Sequence, residues 1–489
     1  MAGALHSSIL LILRSMTLRG IGLISTVVLA RILGPEDFGI VALAMLLIGL
    51  LEVLVQTGSD QYVLRAAGAD TKLVNTAWTL NVSLRGTIAL VLVVAAPLLG
   101  RLYGKPELVA VLWSLTAIMF IDALKNPGLW LLQREQDYRS IVRLDLLAKL
   151  LSVIVAVTAA LSGAAYWALV AGRATMALTQ AAGSYVIHEY RPRLSLAKLR
   201  RQFGFSLWLL LQSLFGYTRV NVDAFLVSVR FDNSQLGAFH TMKYLAFIPS
   251  ENLIQPVSAP LLRELSVVRD EPQRFRLLHN ATFLALAFLA VPLASILFGC
   301  ADLLVPVLLG SGWVEYSELL AWFSILIAAF FLFNHATRTC ITFGNARATF
   351  LYEVFAAAVI FIPILVIGIG DLTAFTSLRV QLELVASFCF VAYSIIFYTG
   401  FKNFLRVLAG LAPIALACAA AEVATQGLDS MDWGAFAKLA VALISWSVCY
   451  LAVFAMLLLL GFRRVSEWSF LIERVRKEAG RLLYASSRK

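Results

Sequence analysis

The chain has 489 residues, 60% of them hydrophobic and only 14% charged, with a formal net charge of +11 at pH 7. Soluble domains carry nearer 25% charged residues, so an ordinary water-soluble fold is excluded. Repeated apolar runs of roughly 18–25 residues between short charged joints define an all-α polytopic membrane protein, and the short alternating segments of a β-barrel are absent.

The first expected span, 8–32, carries Ser8, Ser15, Arg19, Gly22 and Thr26 at helical steps, a polar stripe with Arg14 about 100° to its side. Arg14 either snorkels to the surface or serves that stripe; Arg19 lies deeper. Gly34-Pro35 then breaks the helix, because Pro lacks an N–H and clashes with the preceding turn. Glu36 and Asp37 sit at the start of the next span, where the positive end of the helix dipole favours acids. From Phe38 to Val55 the only strongly polar residue is Glu52.

Fourteen spans are expected: 8–32, 38–58, 73–99, 107–124, 140–162, 164–187, 204–228, 236–258, 279–299, 317–339, 348–369, 373–399, 404–424 and 437–461. The stretch 140–187 admits another parsing around Ser162-Gly163. The even-numbered joints and the span ends beside them hold about nineteen Lys and Arg before a tail from Phe462 adds eight, whereas the odd-numbered joints are mostly acidic. Basic residues stay on the cytoplasmic side, so both termini are expected there, and the net positive charge calls for no nucleic-acid partner.

Sliding the opening hairpin forward places Gly39 on Gly237, Leu64 on Leu262 and Arg65 on Arg263. This faint repeat divides the chain into an N-terminal lobe, 1–190, and a C-terminal lobe, 204–400, joined by a basic linker, 191–203. Two added spans follow at 401–461, then a basic cytoplasmic tail at 462–489. An even offset gives both halves the same orientation and relates them by a two-fold axis along the membrane normal.

A charge at mid-membrane costs at least a few kcal/mol, so each one asks for a partner, a watery cavity or a function. Arg85 interrupts the third span beside Asn81 and Ser83. In the seventh, Gln212, Gly216, Arg219 and Asp223 share a face, and Arg219 with Asp223 has ion-pair spacing. The eighth adds His240, Lys243, Tyr244 and Glu251. Arg173, Glu353, Arg379 and Glu383 stay open between interior and interface positions. If Arg14, Arg19, Arg85, Arg219 and Lys243 converge, they make a basic cavity suited to an anion such as a pyrophosphate.

Soluble-type chemistry has no motif here: there is no GxxxxGK[ST], HExxH, GxSxG or DxDxDG-type loop. Five isolated cysteines and five scattered histidines make neither a disulfide framework nor a metal site. The N-terminus lacks a basic n-region, so no cleavable signal peptide is expected.

The stretch Leu29-Ala30-Arg31-Ile32-Leu33-Gly34-Pro35-Glu36-Asp37-Phe38-Gly39, with the Gln56-Thr57-Gly58 exit, resembles the signature of the polysaccharide transport (Wzx-like) oligosaccharide flippases. That family shares a superfamily with MATE exporters and lipid II flippases. Asp223, Leu236-Gly237, Pro249, Gln255-Pro256 and Phe298-Gly299 followed by Trp313 keep the family order, with Phe239 where a tyrosine is usual. The resemblance implies a two-lobed MATE-like fold in a bacterial inner membrane, with two six-helix halves plus two C-terminal helices. It implies a flippase for a lipid-linked oligosaccharide of the undecaprenyl-pyrophosphate type, feeding exopolysaccharide, capsule or lipopolysaccharide synthesis beside a polymerase and other biosynthesis membrane proteins. On this reading Arg14, Arg19, Arg85, Arg219 and Lys243 hold the pyrophosphate. Asp223 or Glu52 answers a coupling H+ or Na+, and no cofactor or catalytic residue is called for. The rivals are a membrane-embedded glycosyltransferase or polymerase using Glu36 and Asp37, against which helix capping explains the pair more simply, and a MATE-type ion-coupled drug exporter.

Overall fold

A computed structural model describes residues 2–53, 63, 70–198, 217, 220–250, 264–368, 370–426, 433–460, 467–474 and 476. The described residues are almost entirely helical, with no strand among them. In chain order the helices are α1 (Ala2–Ile32), α2 (Pro35–Val53), α3 (Thr71–Leu102), α4 (Glu107–Ala123), α5 (Gly128–Arg134), α6 (Arg139–Leu161), α7 (Trp167–Ile187) and α8 (Asn233–Pro249). They continue with α9 (Pro272–Gly299), α10 (Ala301–Leu308), α11 (Ser317–Ser324), α12 (Leu326–Thr342), α13 (Ala346–Ile367), α14 (Leu372–Thr399), α15 (Phe401–Thr425) and α16 (Ala435–Leu460).

Among the described residues, nine helical segments are long and apolar enough to cross a membrane, or up to ten if the bent pair α4–α5 is one span. Helix α2 is nearly as apolar but carries Glu36, Asp37 and Glu52, and α8 has 17 residues. The expected seventh span falls largely outside the described residues, of which 217 and 220–230 are helical. The observed helices are consistent with fourteen spans. Helix α9 begins at Pro272 rather than at residue 279, so Arg274 and Arg276 lie in its first turns instead of in a joint.

Local chemistry sets the ends. Asp70, Asn345 and Asp371 cap α3, α13 and α14, their side chains accepting from the backbone N–H of Lys72, Ala348 and Ala374. The 140–187 stretch divides into α6 and α7 at a turn in which Gly163 has φ of +82°. Between α4 and α5 the chain bends by 55° just before Pro127-Gly128.

By contact density the chain forms two compact units, Met1–Thr241 and Met242–Lys489. In the first, α6 packs against α7 and α1, and α4 against α2, α3 and α7. The basic stretch expected as a linker lies along this unit. Arg193, Ser195 and Lys198 donate backbone N–H groups to Asn75 Oδ1 (2.9 Å), Thr79 Oγ1 (2.9 Å) and Thr76 Oγ1 (3.3 Å) of α3.

The starts of α2 and α8 cross at two glycines. A Cβ on Gly39 would overlap the Asn233 carbonyl oxygen, and one on Gly237 would overlap the Pro35 carbonyl and come within 2.7 Å of the Gly39 amide nitrogen. Pro35 and Gly39 are offset from Asn233 and Gly237 by the same interval. The contact is therefore reciprocal, which is the local signature of a two-fold relation between these helix starts. Lys105, in the turn between α3 and α4, lies near Asp232 in the turn before α8. Burial pushes its ammonium below the ordinary value, and the Asp232 carboxylate opposes that shift.

In the second unit, α9 packs against α12 and α15, and α15 against α16. Buried polar groups key this packing. Asn280 and Asn403 exchange side-chain hydrogen bonds of 2.8 and 2.9 Å, and Asn280 also donates to Glu467 Oε1 at 2.9 Å. Glu422 Oε1 accepts from Ser295 and Trp446. The segment 467–474, expected as part of a basic tail, is helical and docked: Glu467 and Trp468 are buried, and Arg474 holds Glu264 through both guanidinium nitrogens at 2.7 and 3.0 Å. All five cysteines are free thiols.

Candidate functional site

The first unit contains a chain of paired charges on helices that the sequence requires to be apolar. Arg14 of α1 reaches Asp145 of α6, Nη2 to Oδ2, at 2.5 Å. Asp145 is buried, and its other oxygen accepts from Gln180 Nε2 of α7 at 2.8 Å. Gln180 Oε1 accepts in turn from Lys125 Nζ at 2.8 Å, and Lys125 lies 2.7 Å from Asp122 at the end of α4. Four helices are thus joined by alternating charge and amide. Arg14 thus finds a carboxylate on the neighbouring helix within its reach.

A second pair stands on α2 and α3, where Arg85 Nη1 meets Glu52 Oε1 at 3.3 Å. Arg173 of α7 lies within Coulombic range of both Asp122 and Glu52, and Lys149 of α6 within range of Arg173. Arg14, Arg85 and Lys125 each face a carboxylate, which offsets the cost of charge in an apolar bundle, whereas Lys149 has the like-charged Arg173 as its neighbour.

The expected site residues fare differently. Arg14 and Arg85 both sit in the first unit, each against a carboxylate. Arg19 is exposed on α1, about 140° around the helix from Arg14. Arg219 lies outside the described residues. Lys243 belongs to the second unit and is half-buried. Of the two expected ion-coupling acids, Glu52 pairs with Arg85, while Asp223 is fully buried with its Oδ1 accepting from the Ala224 N–H at 2.7 Å. Asp122, Lys125, Asp145 and Gln180 were not singled out from sequence. Asp145 sits one turn inside a helix that opens on Arg139 and Arg143, so it reads as part of a basic joint; its i, i+4 spacing to Lys149 is the signal that was there.

In the second unit, Arg379 and Glu383 form an i, i+4 pair on α14 at 3.2 Å, both nearly buried. His279 and His335 stack edge to face with ring centroids 4.5 Å apart. The alternatives left open for Arg379 and Glu383 resolve to interior positions.

Comparison with known proteins identifies the family and the fold. The family model described as "Polysaccharide biosynthesis protein" matches residues 28–318. The succinoglycan biosynthesis transport protein ExoT of Rhizobium meliloti (strain 1021) is 25% identical over 299 residues, 60% of this chain and 60% of that protein. The lipopolysaccharide biosynthesis protein WzxC of Escherichia coli (strain K12) is 21% identical over 357 residues, 71% of this chain and 72% of that one. Among solved structures, the lipid II flippase MurJ in an inward closed conformation superimposes with a TM-score of 0.71 at 12% identity, covering 91% of this chain and 98% of its own. An inward-facing multidrug resistance MATE transporter of the MOP superfamily gives 0.59 at 15% identity, covering 80% and 95%. These structures share the fold. With more than half its length matched by the family model, the chain is a multi-pass membrane protein of the polysaccharide biosynthesis protein family, built on the fold of the MOP-superfamily flippases and exporters.

Proposed function

We propose that the protein is a flippase moving a polyprenyl-pyrophosphate-linked oligosaccharide repeat unit across the bacterial inner membrane, by alternating access, for exopolysaccharide, capsule or lipopolysaccharide synthesis. The observation that carries this reading is the set of arginines held inside the first unit, Arg14 and Arg85, each on a different helix and each against a carboxylate. A guanidinium binds phosphate oxygens through paired donors, which suits a pyrophosphate headgroup. The family match and the transport proteins related to the chain support the same substrate class. Glu52 or Asp223 answers a coupling proton or sodium ion on this reading.

Both termini face the cytoplasm on this reading, because the even-numbered joints are basic. Outward movement of the anionic headgroup is then favoured by an inside-negative potential, by about 2.3 kcal/mol per charge per 100 mV. The decisive experiment deletes the gene in its own host and follows lipid-linked oligosaccharide by leaflet. A flippase defect leaves complete repeat units accumulating on the cytoplasmic leaflet; repeat units that never form point to an enzyme instead. Arg14→Ala and Arg85→Ala are expected to reduce export at least tenfold at equal protein level, and full export in both variants removes the pyrophosphate site.

A further inference from the structure

We propose that Asp145 is a resident counter-ion for Arg14, occupying that guanidinium when no headgroup is bound and yielding it to the pyrophosphate. This rests on the flippase reading and adds to it a residue that sets affinity and turnover.

The geometry separates Asp145 from an ordinary structural pair. Its two oxygens have different tasks: Oδ2 meets Arg14, and Oδ1 is held by Gln180, which is held by Lys125, which is paired with Asp122. When Arg14 turns away, the carboxylate keeps the Gln180 amide and the relay behind it, so it is not left as an orphan in the bundle. Arg14 retains a third of its side-chain surface, on another helix and at the end of a flexible stem, whereas Asp145 retains 11%. One partner is thus the more exposed of the two, and the other is fixed from behind. The Arg379–Glu383 pair of the second unit is the contrast: both groups share one helix at i, i+4 and keep only 7% and 12% of their surface.

The charges make the exchange consistent. The four linked groups Arg14, Asp145, Lys125 and Asp122 sum to zero, and Arg173 and Lys149 beside them add positive charge, which favours an anion. A pyrophosphate offers Arg14 two or more anionic oxygens in place of one and displaces the carboxylate by direct competition. Asp145 therefore weakens headgroup binding and promotes release.

The test uses the purified full-length protein in lipid nanodiscs, with undecaprenyl pyrophosphate as probe and inorganic pyrophosphate as the headgroup alone. Asp145→Asn keeps the shape and the Gln180 contact but removes the competing charge. It is expected to bind both probes about tenfold more tightly than the natural protein, a gain of about 1.4 kcal/mol. Export in cells slows at the same time, because release becomes harder. Loss of a merely structural residue would weaken binding, so a tightened Kd together with slower export is the distinguishing result. Asp145→Ser provides a second removal of the same charge should Asp145→Asn fail to accumulate, and is expected to tighten binding in the same direction. Unchanged or weakened binding in the accumulating variants overturns the counter-ion proposal while leaving the flippase reading in place. Failure of the natural protein to bind either probe overturns both.

Discussion

At the scale of single residues, the polar groups of the second unit show how buried pairing decides stability. Asn280, Asn403 and Glu467 satisfy one another between α9, α15 and the segment 467–474. Hydrogen bonds between membrane helices average only about 0.6 kcal/mol, because the unfolded reference also finds partners. Asn280→Leu does more than remove one bond: it breaks the exchange with Asn403 and the contact with the Glu467 carboxylate at once. Loss of several buried contacts at once is then the larger effect, and a loss of about 3 kcal/mol is expected, read as a lower Tm of the purified protein. Glu467→Gln keeps an acceptor and is expected to change Tm little. Equal losses in the two variants would show that charge, not hydrogen bonding, dominates there.

Helices bring these residues into register. The crossing of α2 and α8 depends on two glycines whose missing side chains admit the partner backbone. Backbone cannot rotate aside as a side chain can, so Gly39→Val is expected to cost at the upper end of the 1–3 kcal/mol range for overpacking. Its readout is a fall in membrane-inserted, monodisperse protein, and normal accumulation would contradict so close a contact. The segment 467–474 invites a second experiment at this scale. Ending the chain at Leu460 removes Glu467, the Trp468 indole that donates to the Gly410 carbonyl at 3.2 Å, and the Arg474–Glu264 pair. A clear drop in Tm is expected, whereas a solvated tail could be removed at no cost.

For the whole molecule, alternation of charge between joints carries the orientation. A fluorescent-protein fusion after Lys489 is expected to fluoresce and a periplasmic phosphatase fusion there to stay inactive; the reverse pattern would overturn the cytoplasmic assignment. Fold class, span positions and family were legible in the order of residues, because lipid imposes a length and a composition on every helix independently of its neighbours. Helices α4, α6, α14 and α16 lie within two residues of their expected ends. Asp145 and Gln180 were not legible. One resembles a joint residue and the other a polar interruption, and only the packing of α1, α6, α7 and α4 turns them into links between Arg14 and Lys125. The recurrence of Gly39 at Gly237 stood faintly in the sequence, but that the two copies touch required coordinates. Hydrophobic period and length are local and so readable along the chain. Charge pairing depends on which faces meet across helices that can be far apart along the chain, as Arg14 and Asp145 are, and tertiary structure alone decides that.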